Sequence, residues 1–82
     1  MYKIKFDTID QVKTFVKEIE HLGSDAIIRT TNRKYAVDAK SLMGIFSLDL
    51  SNYLLLDVYD DNNHFAEMLD RLDITNEKLE EV

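Results

Sequence analysis

Apolar positions along this chain fall into two periods, and the switches between them mark out its elements. Tyr2-Lys3-Ile4-Lys5-Phe6 alternates apolar and charged residues, the period of a strand with one face in water. From Ile9 the period lengthens: Ile9, Val12, Val16 and Ile19, with Phe15 and Leu22 beside them, predict an amphipathic helix running to about Leu22. Thr8 and Gln11 have the spacing of a capping box, and Asp7 and Asp10 place negative charge at the positive end of the helix dipole. Gly23 stands where a helix ends in a left-handed residue.

The next strands are Asp25 to Thr30 and Lys34 to Ala39, joined by the polar turn Thr31-Asn32-Arg33 into a predicted hairpin whose turn lacks glycine. Ser41 then reads as the N-cap of a short helix ending before Asp49. A fourth strand spans Tyr53 to Tyr59, with Leu54, Leu56 and Val58 on one side. Asp60-Asp61-Asn62-Asn63 supplies caps for a last helix with Phe65, Met68, Leu69 and Leu72 at helical spacing. Beyond Asp73 only Ile74, Leu79 and Val82 are apolar, so residues 74–82 are expected to form a frayed or weakly helical acidic tail to a domain spanning 1–73. The expected order is β-α-β-β-α-β-α. It implies a two-layer α+β domain with three helices on one face of a four-stranded antiparallel sheet.

Composition narrows the functional classes. The 82 residues make one small domain, in which a site should be shallow and external. Without cysteine there is neither a disulfide nor a thiolate metal site. Ten Lys and Arg against sixteen Asp and Glu give a net charge of −6, which opposes binding to nucleic acid or to anionic membranes. No long apolar run or signal-peptide pattern is present, so the expected location is the cytoplasm. No phosphate-cradling glycine loop, catalytic Ser-His-Asp set or metal-ligand spacing appears, and no cofactor is expected. Tyr35, Tyr53 and Tyr59 read as strand residues packing on the sheet. His21 reads as a helix-end residue and His64 as a surface residue at a helix start.

The segment Lys40-Ser41-Leu42-Met43-Gly44-Ile45-Phe46-Ser47-Leu48 asks for more than a core explanation. Leu42, Ile45 and Leu48 share one helical face, while Met43, Phe46 and Leu50 fall on another. A helix this short presses one face onto a core, so the other is either covered by a loop or left open for a partner. The expectation is that Met43 and Phe46 are partly exposed and form an apolar partner patch with Leu42 at its edge. Gly44 keeps the helix slim at a propensity cost of about 1 kcal/mol.

This segment, preceded by the strand-like Tyr35-Ala36-Val37-Asp38-Ala39, resembles the regulatory-serine region of HPr, the histidine phosphocarrier of the bacterial sugar phosphotransferase system. The likeness extends more loosely over residues 2–72. It implies an open-faced sandwich with strand order 1-4-2-3. It also implies a regulatory phosphorylation site at Ser41, and a partner surface of Lys40, Leu42, Met43 and Phe46. The family's phosphocarrier motif of histidine, alanine, arginine and proline is replaced by Asp10-Gln11-Val12-Lys13, so Asp10 stands at the histidine position. The expectation is therefore a regulatory or adaptor protein that is not a competent phosphocarrier. Its partner would be a phosphotransferase-system or regulatory protein, with HPr kinase as the candidate modifier. The alternatives are a phosphocarrier acting through Asp10 or a histidine, and a purely structural domain. The sequence leaves the oligomeric state open.

Overall fold

The structure, a computed structural model, describes residues 1–59 and 64–79. The elements are β1 (Tyr2–Lys5), α1 (Ile9–Leu22), β2 (Ala26–Thr30), β3 (Ala36–Asp38), α2 (Leu42–Phe46), β4 (Leu54–Val58), α3 (His64–Arg71) and β5 (Thr75–Lys78). All strand pairs are antiparallel, in the order β3-β2-β4-β1-β5. The α+β class is as expected, but the sheet has five strands rather than four.

β4 holds the centre, paired on one side with β2 and on the other with β1. The register sets Ile28, Leu56 and Tyr2 in one row, and all three are fully enclosed. Leu54 and Ile4 are paired beside them. Onto this face pack Val12, Phe15, Val16 and Ile19 of α1, Ile45 of α2, and Phe65, Met68 and Leu69 of α3, in a single core. Phe6 meets Phe15 edge to face at 5.3 Å. On the opposite face lies the row Ala36–Arg29–Leu55–Lys3–Glu77. Leu55 is buried there although it belongs to the other side of the sheet from the main core. The aliphatic stems of its cross-strand neighbours Arg29 and Lys3 can shield it while their charged ends reach Asp57 and the ring of Tyr53.

The ends of α1 follow their sequence signals. Thr8 Oγ1 accepts from the Gln11 amide at 3.1 Å, and Gln11 Oε1 accepts from the Thr8 amide at 3.2 Å. Gly23 takes the left-handed conformation at φ 65°. One expectation fails here. Ile9, assigned to the core stripe, is 61% exposed, because the first helical residue lies beyond the edge of the packed face. In the β2–β3 hairpin Arg33 adopts φ 62° at a position that usually favours glycine. Asn32 Oδ1 fastens this turn by accepting from Thr30 Oγ1 and from the Lys34 amide.

The expected frayed tail is the largest correction. Asp73 takes φ 59°, its amide donates to Asp70 O, and the Ile74 amide donates to Leu69 O. This is a Schellman closure built without glycine. Ile74 is 2% exposed in the core, and Thr75–Lys78 pairs along β1, followed by a bond from the Leu79 amide to Met1 O. Gln11 Nε2 donates to Asp73 O at 3.0 Å, tying the start of α1 to the same reversal. The domain therefore extends past residue 73. The polar strand was hidden because an edge strand is held by its backbone pairing and needs no apolar alternation. The expected helix caps Asp60 to Asn63 and the residues from Glu80 onward lie outside the described residues. Among the described residues no helix is long and apolar enough to cross a membrane.

If Ile74 anchors the fifth strand, Ile74→Ala should cost about 2–5 kcal/mol in urea unfolding, the loss of a core side chain. A frayed tail would make the same substitution nearly neutral.

Candidate functional site

The Lys40–Leu48 segment is shaped by polar contacts at both ends. After β3, Asp38 folds the chain back: its carboxylate accepts from the Lys40 amide and its carbonyl from the Ser41 amide, each at 2.9 Å. Ala39 is buried and its amide bonds to Ala26 O, anchoring the segment to β2. Ser41 then caps α2 as its sequence position suggests, with extended backbone and Oγ accepting from the Gly44 amide at 3.1 Å. At the far end Ser47 Oγ donates to Gly44 O at 2.6 Å. Asp49 closes the loop to β4, taking the Ser51 amide and hydroxyl on one oxygen and Asn52 Nδ2 on the other.

Gly44 is required by space. A Cβ there would lie 2.9 Å from Ser41 Oγ and 3.1 Å from Val37 Cβ. The helix thus approaches both its own cap and β3 through a position where only hydrogen fits without displacement.

The two expected helical faces separate less cleanly than their spacing implies. Ile45 is fully enclosed, and Leu42 and Leu48 are half-buried against the core. Met43 stands out at 78% exposure. Phe46 and Leu50, expected beside it, are half-buried against the core. The apolar surface of α2 therefore consists of Met43 with the exposed parts of Leu42 and Phe46. Sequence reasoning missed Ile9, which borders a shallow cleft of about 260 Å3 together with Leu50. Its place as the first residue of α1 was the available signal.

Lys40, expected beside a modified Ser41, is drawn elsewhere: its Nζ lies 3.0 Å from Asp25 Oδ1. That hydrogen bond, with the negative charge of Asp25, raises the Lys40 pKa above its ordinary value. The hydrogen bonds from Ser51 hold Asp49 below its ordinary value.

Asp10 is exposed in the first turn of α1, and its carbonyl accepts from Thr14 Oγ1. Asp7, its nearest acidic neighbour in sequence, is paired with Lys5. Among the described residues no three acidic or imidazole groups converge on a possible metal position. His21 and His64 are both exposed, at the last turn of α1 and the first residue of α3. No family model matches this chain, and neither curated proteins nor solved structures give a significant match.

Two outcomes test this geometry. Gly44→Ala should destabilise by about 1–3 kcal/mol, because overpacking against Val37 and the cap outweighs the gain in helix propensity. Asp49 has its pKa lowered on folding, so its contribution is present above the ordinary carboxylate range and fades as pH falls through the lowered folded value. The stability difference between wild type and Asp49→Ala should accordingly be constant near neutrality and shrink in acid below about pH 4, followed by urea unfolding across pH.

Proposed function

We propose that this chain is a non-catalytic, HPr-like regulatory or adaptor module of the bacterial cytoplasm that binds a protein partner through α2, with Ser41 as its modification site. The observation that carries the reading is Met43, 78% exposed on a helix whose N-cap oxygen is Ser41. A partner-sized apolar side chain and a modifiable hydroxyl therefore lie within three residues. The resemblance of Lys40-Ser41-Leu42-Met43-Gly44 to the regulatory-serine segment supports the same assignment. So does the strand order, which contains 1-4-2-3 with β5 added beside β1.

The phosphocarrier role is set aside on chemistry. Asp10 offers a carboxylate where the family has an imidazole, and the neighbouring amides of Asp7 and Thr8 bond to Gln11 Oε1 rather than facing an anion. The partner surface comprises Lys40, Leu42, Met43 and Phe46. A phosphate on Ser41 would add about −1.5 to −2 charges next to Met43 and compete with Asp25 for Lys40. A partner that buries Met43 would then be repelled, and one presenting arginines would be recruited.

Incubation with HPr kinase and ATP should add one phosphoryl group by intact mass, and Ser41→Ala should abolish it. Phosphoenolpyruvate with the general phosphotransferase enzyme should add none. Modification that persists in Ser41→Ala, or none while ordinary HPr is modified alongside, would remove the regulatory serine from the reading. A phosphoenolpyruvate-dependent adduct would restore the carrier role.

A further inference from the structure

The chain carries neither cysteine nor tryptophan, so methionine is its most readily oxidised side chain. Its three methionines stand in three different environments. Met68 of α3 is 2% exposed, in the core. Met1 is half-buried, and a guanidinium nitrogen of Arg33 donates to its sulfur at 3.9 Å. Met43, the second residue of α2, projects into solvent. The other large apolar or aromatic side chains exposed among the described residues are Ile9, Tyr35, Tyr53 and Tyr59. None contains sulfur, although the tyrosines depart from the sheet packing expected of them.

Oxidation of a thioether needs both access and water. A sulfur lone pair attacks one oxygen of a peroxide, the O–O bond breaks, and sulfur gives up two electrons. The transferred oxygen passes its proton to the departing hydroxide, which leaves as water. That developing charge must be solvated, so the reaction is fast in solvent and slow in an apolar core. Met43 meets the requirement. It lines neither the cleft of about 590 Å3 at the sheet edge, between the β2–β3 turn and the loop from α2 to β4, nor the smaller cleft beside Ile9. The Arg33 contact engages a sulfur lone pair of Met1 that would make the same attack, and Met68 meets an oxidant only when the core opens.

The helix is held without the Met43 side chain. The Met43 carbonyl accepts from the Ser47 amide at 3.1 Å, Ser41 Oγ caps the Gly44 amide, and Ile45 fills the core. A change at the Met43 sulfur therefore leaves these contacts in place. We propose that Met43 is a reversible oxidation site, converted by a peroxide to its sulfoxide while the fold stays intact. The product sets a strong sulfur–oxygen dipole where α2 has its most exposed apolar side chain. Thiol-dependent methionine sulfoxide reductases restore the sulfide: the oxygen leaves as water while two thiols become a disulfide. That a partner on α2 then loses its apolar contact rests on the function proposed above, whereas the oxidation itself does not. Phosphate at Ser41 and oxygen at Met43 are then two separate chemical routes to the same loss of apolar surface.

The test is limited oxidation of the folded chain with hydrogen peroxide, followed over time by intact mass and peptide mapping. The first addition of about 16 daltons, one oxygen atom, should map to Met43 and outpace Met68 by about tenfold or more. After that single addition the thermal unfolding midpoint should be unchanged, and retention on a hydrophobic-interaction column should fall. Both epimer-specific sulfoxide reductases together, with dithiothreitol, should restore mass and retention. Met43→Leu should keep the retention of the untreated chain at a peroxide dose that converts Met43 in the wild type. These measurements involve neither kinase nor partner, so their outcome is separate from that of Ser41 phosphorylation. First oxidation at Met1 or Met68, unfolding that accompanies the Met43 sulfoxide, unchanged retention, or a sulfoxide that the reductases leave in place would overturn the proposal.

Discussion

The fold depends on burying the row Ile28–Leu56–Tyr2 across its three inner strands. Each side chain is fully enclosed, and each position is fixed by pairing with β4. A register shift of one residue would exchange Leu56 for Asp57 on the core face, so the pairing has little freedom to slide. A chain of 82 residues buries only about 60–65% of its unfolded surface, which leaves no second core to compensate. The outer strands β3 and β5 are short and mostly exposed. They extend the sheet through backbone bonds while contributing little apolar area.

α2 is set by a different kind of constraint. Five residues are too few to make a stable helix alone. Its position follows from the enclosed Ile45, the cap at Ser41, the Ser47 hydroxyl at its end and the close approach allowed by Gly44. These contacts use the inner side and both ends of the helix, which is why Met43 is left in solvent. The exposure of Met43 is a consequence of how the helix is held.

The α2 surface and the edge cleft are joined by a single short connection. Leu48, which lines the cleft, follows Phe46 by two residues, and the Asp49 loop closes the same wall. The turn between them is held by the hydrogen bonds of Ser47, Asp49 and Ser51.

The sequence by itself determined most element identities, because period and caps are local properties. The stripe Val12, Val16 and Ile19, the Thr8–Gln11 box, Gly23 and the Ser41 cap are all found in the structure as their spacing indicates. Gly44 was legible as a slim position, though not what it approaches. Tertiary structure decided the rest. Ile9 fits the helical period but overhangs the core, and Phe46, expected to be partly exposed, is partly buried against the core. The reversal at Asp73 uses a left-handed residue other than glycine, so no turn signal announced it. β5 has no apolar alternation to read, and it exists because β1 presents an edge and Ile74 has a place in the core. Period describes how a segment would meet an apolar surface, whereas only the assembled fold specifies where that surface ends and which backbone edges remain open.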